Sequence, residues 1–195
     1  MRAFVAVVPP AGVLAELAAA VEPVREMSPG LRWTPAAQWH LTLAFLGEVD
    51  EAVLPDLTER LARAARRHEP VTLSLREGGR FGDRVLWTRV LVHPPRLRES
   101  VRSSARVTPL GRLAASVTAA ARRCGIAVDD RPYRPHLTLA RGRPGSDLRP
   151  AVEALAGFAG SPWTADALHL VRSRLGAGEG GTAAHEIVGT WPLGR

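Results

Sequence analysis

The chain has no lysine; all 26 of its basic residues are arginine. It has one cysteine, Cys124. No disulfide can therefore form within the chain, which excludes a disulfide-stapled secreted scaffold. Cys124 has no histidine close to it in sequence and reads as a small residue at a helix end, not as a nucleophile. No apolar run approaches the roughly 18 residues that a membrane-spanning helix needs. The opening run from Met1 to Val8 is cut short by Pro9-Pro10 and followed by Glu16 and Glu22. It reads as a first strand and a first helix rather than a signal peptide. The expected compartment is the cytoplasm, with no membrane contact.

What is present is cationic charge. Against 19 acidic residues the arginines leave a formal net charge of +7. The missing lysine fits codon bias better than function, yet arginine is the better phosphate ligand, because its planar fork binds two oxygens at once. A polyanionic substrate is drawn to such a surface. Hydrophobic residues make up 46% and charged residues 23%, as in ordinary globular proteins. A chain of 195 residues hides roughly 70% of its unfolded surface. The expectation is one domain, residues 1–195, built of two lobes.

The patterning predicts strands over Ala3–Val8, Trp39–Leu46 and Arg134–Arg141, and a short extended piece over Arg32–Thr34. Val71–Arg76 and Arg84–Val92 read as an antiparallel pair around the linking segment Glu77–Asp83. Ala165–Arg174 and His185–Trp191 read as a closing pair around a glycine-rich loop, Gly176–Gly181. Helices are expected over Ala11–Val21, ended or kinked at Pro23, over Glu51–Arg67, and over Leu148–Leu155. A long helical region opens at Pro94-Pro95 and splits at Val107-Thr108-Pro109, with Leu110–Cys124 its stronger part and Gly125 its stop. Hairpins within this mixture predict an α+β fold: two pseudo-symmetric lobes of largely antiparallel sheet, flanked by helices, with a central groove. Each half of the sequence runs motif strand, helix, hairpin, as an internal duplication does.

The motif is His-Leu-Thr-Leu-Ala, which occurs twice: His40–Ala44 and His136–Ala140, with starts 96 residues apart. In a strand, residues i and i+2 share a face. Each copy thus presents an imidazole and a hydroxyl on one side and two leucines on the other. Two such strands facing one groove supply a neutral imidazole to take a proton from water and a protonated one to give a proton to a leaving oxygen. Threonine hydroxyls donate to non-bridging phosphoryl oxygens. The chemistry that fits is in-line attack on a phosphodiester, with no metal and no cofactor. A catalytic zinc would want three protein ligands, and neither motif brings an acidic or cysteine residue at a helpful spacing.

Trp39-His40-Leu41-Thr42-Leu43-Ala44-Phe45-Leu46-Gly47-Glu48-Val49 and Arg134-Pro135-His136-Leu137-Thr138-Leu139-Ala140-Arg141 resemble the paired motifs of the two-histidine (2H) phosphoesterase superfamily. Within it they are most similar to the bacterial and archaeal RNA 2′,3′-cyclic phosphodiesterases, historically called 2′-5′ RNA ligases. The resemblance extends to Phe4-Val5-Ala6, Val85-Leu86-Trp87, Leu168–Leu175 and Trp191-Pro192-Leu193, and so covers nearly the whole chain. It implies that His40 is the general acid for the departing 3′ oxygen and His136 the base that activates water. It implies that Thr42 and Thr138 bind phosphoryl oxygens, that Phe45 stacks on the nucleobase and that Arg141 pairs with the phosphate. The implied product is a 2′-phosphomonoester, from RNA ends or nucleotides bearing a 2′,3′-cyclic phosphate. The doubled pattern by itself does not say which histidine is the acid. Two departures stand out: a long polar stretch over Arg98–Leu110, and His185 where family members often carry an aromatic residue.

Rival readings keep the fold. Other 2H proteins act on 2′-5′ linked oligonucleotides or on ADP-ribose cyclic phosphate. The site run in reverse would join 2′-5′ linkages, and a non-catalytic RNA-end-binding module would hold a phosphate without turnover. A monomer with no obligatory protein partner is expected. The glycine-rich loop lacks the Gly-Lys-Ser/Thr end of a P-loop and reads as a hairpin link. His169 is placed facing either the groove or solvent, His68 and His93 read as bystanders at element ends, and the five tryptophans read as core or groove wall.

Overall fold

The computed structural model of the protein describes residues 1–93, 108–178 and 183–194. The helical start expected at Pro94-Pro95 and the tip of the glycine-rich loop lie outside these residues. Nine strands form one sheet: β1 (Arg2–Val7), β2 (Arg32–Trp33), β3 (Leu41–Glu48), β4 (Val71–Phe81), β5 (Val85–Val92), β6 (His136–Arg141), β7 (Trp163–Ala165), β8 (Ala167–Arg174) and β9 (Ala184–Pro192). Their order is β7-β4-β5-β6-β3-β1-β8-β9, with β2 also on β6. The strand pairings are antiparallel.

The duplication expected from the sequence appears in space with its hairpins exchanged. The hairpin β4–β5 follows the first motif strand in sequence but pairs with the second, β6; the closing hairpin β8–β9 follows β6 but joins β3 through β1. The two halves, β7-β4-β5-β6 and β3-β1-β8-β9, meet at a seam between the motif strands. The chain also forces the sheet to curl. β7 and β8 stand six positions apart, roughly 29 Å in a flat sheet at ~4.8 Å per strand, yet only Asp166 separates them. Two residues reach at most about 7 Å, so the sheet bends round until these ends approach. The strand expected over Ala165–Arg174 is β8 except at its start, where Ala165 closes β7 on the opposite half.

Among the described residues, four helices cover the leucine face. α1 (Ala11–Met27) buries Val13, Leu17, Val21 and Val24. It runs on past Pro23, where an end or kink was expected, because Val24 continues the buried stripe and this offsets the lost backbone donor. α2 (Leu54–Ala65), preceded by a 3₁₀ turn capped by Asp50, buries Leu57 and Leu61. α3 (Pro109–Arg123) starts at an N-cap, Thr108, whose hydroxyl accepts from Gly111 N–H, and ends before Gly125 at φ +75°. α4 (Arg149–Ala154) packs on β4. Between helices and sheet lies one apolar core that includes Leu41, Leu43, Leu137 and Leu139. Phe4, Ala6 and Val171 form a small separate cluster.

The link expected over Glu77–Asp83 is mostly strand. β4 continues to Phe81, with a register shift between Arg76 and Gly78, and the turn falls at Gly82, φ +56°. Gly79 faces Trp87 across the hairpin, and the indole ring occupies the space a Cβ would take. The ring covers a bare stretch of backbone that the composition had marked as loop.

Candidate active site

The site is built on the seam. β3 and β6 pair at a single position, Leu41 opposite Leu137, and both leucines are fully buried in the core. Alternation turns the neighbouring side chains to the other face. One residue to either side of that antiparallel rung, His40 lies across from Thr138 and Thr42 across from His136. All four line one groove of about 450 Å³, together with Phe4, Phe45, Arg141 and His185. Neither threonine hydroxyl has a partner among the described residues, which leaves both free to donate to a ligand.

Phe45 and Arg141 reach the groove by a device absent from the sequence pattern. Each is five residues after its histidine, an odd offset that strict alternation sends to the core. In β3 the register slips between Thr42, opposite Ala6, and Ala44, opposite Val5, so Leu43 is an extra residue. In β6 it slips between Thr138, opposite Trp87, and Ala140, opposite Leu86, so Leu139 is extra. A bulge at the same offset in each copy inverts the parity. Leu43 with Ala44, and Leu139 with Ala140, are then buried, while Phe45 stands 62% exposed in the groove.

The two imidazoles are held alike. His40 Nδ1 lies 2.7 Å from the Gln38 carbonyl oxygen, and His136 Nδ1 lies 2.7 Å from that of Arg134. A carbonyl only accepts, so Nδ1 carries the proton in each ring, and Nε2 is the nitrogen that exchanges protons with a substrate. Each ring also rests on aromatic neighbours. Phe4 stacks on His40 at 4.5 Å between centroids. Phe81 meets His136 edge-on at 4.9 Å, and Trp87 lies at 6.2 Å.

Burial disfavours the charged form of both. It pushes His40 down to about 4, against the opposing Gln38 hydrogen bond, with the nearby His185 and His136 adding in the same direction. His136 is lowered by burial too, again against its backbone hydrogen bond, with Arg141 contributing. In the free protein both imidazoles are therefore neutral at neutral pH. A bound phosphate anion reverses the sign, since an opposite charge nearby favours imidazolium.

Reading by pattern missed Phe4 and Arg32 as groove residues and marked His185 only as a departure from the family. His185 sits 5.2 Å from the His40 ring and 5.0 Å from Phe4, and its Nδ1 is buried without a partner. Phe4 is brought in by the irregular pairing of β1 with β3. Arg32, on a strand of two residues, also lines the groove. A short strand and a lone histidine carry no periodicity from which either could be found. Other histidines lie outside it. His169 bonds Thr190 Oγ1 at 2.9 Å, His68 bonds Ser116 Oγ and His93 bonds Ser74 Oγ. Cys124 donates to Asp56 Oδ2 at 3.3 Å; burial first, and then Asp56, push its thiol up, which fits a structural residue. Among the described residues no group of three or more histidine, cysteine or carboxylate side chains is placed to hold a metal, and no helix is long and apolar enough to cross a membrane.

Comparison with known proteins gives a consistent picture. Residues 13–177 match the sequence profile described as "2′-5′ RNA ligase superfamily". An RNA 2′,3′-cyclic phosphodiesterase of Thermus thermophilus is 34% identical over 180 residues, covering 90% of this chain and 83% of the relative. One from Bacillus subtilis is 34% identical over 120 residues, covering 62% of this chain. The matched segments span 60% of the B. subtilis relative and 32% of the Geobacillus stearothermophilus one. Among solved structures, a Thermus thermophilus protein superposes with a TM-score of 0.72 at 29% identity, covering all of both chains. E. coli LigT without ligand superposes with a TM-score of 0.72 at 25% identity, covering 100% of this chain and 98% of the other.

Proposed function

This chain belongs to the 2′-5′ RNA ligase superfamily, the two-histidine phosphoesterases, and on that premise we propose that it hydrolyses RNA and nucleotide 2′,3′-cyclic phosphodiesters to 2′-phosphomonoesters. The observation that carries the reading is the seam geometry: two imidazoles with free Nε2 atoms and two free hydroxyls around one groove.

In the proposed reaction the cyclic phosphate lies across the seam, with its non-bridging oxygens on Thr42 and Thr138. His136 Nε2 takes a proton from water as the water oxygen bonds to phosphorus. The bond from phosphorus to the 3′ oxygen breaks, and His40 Nε2–H supplies the proton that makes it a hydroxyl. One water is consumed, and the two imidazoles return to their starting states by exchange with solvent. Arg141 pairs with the phosphate, its delocalised cation meeting the charge that shifts to the oxygens. Phe45, exposed at the groove, offers a ring for the base. The roles of acid and base follow the family resemblance. His40 is the more strongly desolvated of the two, so its acid role depends on the bound anion. With a 5′ hydroxyl in place of water as the nucleophile, the same steps would open the 2′,3′-cyclic end into a 2′-5′ linkage and a free 3′ hydroxyl.

The test is incubation with 2′,3′-cyclic nucleotides and chromatographic identification of the product. Wild type is expected to give the 2′-monophosphate. His40→Ala and His136→Ala are each expected to lose about 10²–10⁴-fold in kcat while remaining folded. Binding without conversion would identify an RNA-end-binding module instead, and a 3′-monophosphate would overturn the assigned leaving group.

A further inference from the structure

Building on the phosphodiesterase reading, we infer that Arg32, standing beside Arg141, provides a second phosphate subsite, which takes the phosphodiester adjoining the cyclic phosphate and makes an oligonucleotide end the preferred substrate over a free cyclic mononucleotide.

Arg32 and Arg141 are directly paired across β2 and β6. Directly opposed residues project from the same face with Cβ atoms about 4.5–5.5 Å apart, and like charges so placed destabilise the pair. Both line the groove. Some arginines elsewhere meet carboxylates, among them Arg60 with Asp56, Arg89 with Glu77, Arg149 with Asp147 and Arg172 with Glu186. Arg32 and Arg141 have no such partner among the described residues, and no described residue lining the groove is acidic. Two guanidinium groups, with five N–H donors each, thus stand side by side with their charge unanswered.

The strand that carries Arg32 is pinned, despite its length. Thr34 N–H donates to the Leu139 carbonyl at 2.8 Å. Trp33 pairs with Ala140, its Nε1 donates to the Ser28 carbonyl at 3.2 Å, and the Arg25 guanidinium covers its ring at 5.8 Å. The fork is therefore presented by a fixed backbone. It also lies beyond the reacting centre, opposite Arg141, which with the bulge at Leu139 stands two ladder positions past Thr138, roughly 7 Å along the strand. A single cyclic phosphate, of one negative charge and already met by two hydroxyls, two imidazoles and Arg141, does not call for a second arginine. A second phosphate, one linkage along the chain, does.

The experiment compares kcat/KM for a cyclic mononucleotide, a dinucleotide ending in 2′,3′-cyclic phosphate, and the same dinucleotide with a neutral methylphosphonate linkage. For wild type the charged dinucleotide is expected to exceed the mononucleotide by about tenfold or more. The advantage is expected to disappear with the methylphosphonate and to shrink likewise in Arg32→Gln. An advantage that survives the neutral linkage belongs to the second base and overturns the inference. So does one that survives Arg32→Gln, or an equal loss on mononucleotide and dinucleotide, which would put Arg32 on the reacting phosphate. If neither substrate is hydrolysed, the phosphodiesterase reading itself fails. Calorimetric binding of charged and neutral dinucleotides then decides the subsite alone, with equal affinities overturning it. Arg32 is exposed on the surface, and an unchanged unfolding temperature for Arg32→Gln establishes that the comparison is between folded proteins.

Discussion

His40 Nε2 and His136 Nε2 are the atoms on which the proposed chemistry turns, and their titration is the most direct probe of it. Burial lowers both imidazoles in the free protein, His40 to about 4. The base must be neutral and the acid charged, so kcat/KM is expected to be bell-shaped in pH. Its centre falls midway between the two values whichever ring is the acid, and so below the ordinary histidine pKa of about 6.5. In kcat, which reports the complex, the bound anion favours imidazolium, and both limbs are expected to move to higher pH. Limbs at the same pH in both profiles, measured by steady-state kinetics from pH 4 to 9, would contradict this. Phe45 acts at the same scale. It is exposed, so Phe45→Ala is expected to leave the unfolding temperature nearly unchanged. Losing a stacked base at ~1–3 kcal/mol should raise KM by about 5- to 150-fold, as a titration with cyclic nucleotide would read.

At the scale of the element, strand irregularities decide which side chains reach the groove. The His-x-Thr pairing was legible in the sequence because a period of two is intrinsic to a strand, and Leu41, Leu43, Leu137 and Leu139 keep to it. The bulges at Leu43 and Leu139 were not. An extra leucine looks like any other apolar residue, and only the partner strand's register reveals it. The family resemblance gives Phe45 and Arg141 roles at the substrate without giving the reason for their odd offset; both line the groove. Gly78-Gly79 was likewise misleading, because the cover for those glycines comes from Trp87 on the facing strand. That cover makes a test. A methyl at Gly79 enters the space of the Trp87 ring, which lies against Phe81 and His136. Gly79→Ala is expected to cost about 1–3 kcal/mol in stability, measured by denaturant unfolding. It should also lower kcat through a displaced His136, with a changed tryptophan fluorescence spectrum as the independent sign.

At the scale of the whole molecule, histidines in and outside the groove oppose stability in acid. His40, His136, His169 and His185 are all lowered by burial. Between about 6.5 and 4 the unfolded chain therefore binds more protons than the folded one, and stability falls as pH drops through that window. Calorimetry across it is expected to show a falling unfolding temperature, a shallower fall in His40→Asn, and partial recovery with inorganic phosphate, which binds only the folded groove. The curl of the sheet and the exchange of hairpins also belong to this scale. Neither was legible, because strand order is set by which edges find one another after the local elements exist. The one-residue link at Asp166 encodes the curl only once its flanking strands have been assigned to opposite ends.

The seam has a dynamic consequence. The two halves share one backbone rung, Leu41 with Leu137, where every other described junction of the sheet has two or more. Widening the cleft to admit an RNA end would cost little main-chain hydrogen bonding, provided the leucines slide within their packing. Amide protons along β3 and β6 at this junction should thus exchange with deuterium sooner than those of β4 and β5, and a bound nucleotide that bridges the halves should slow them selectively.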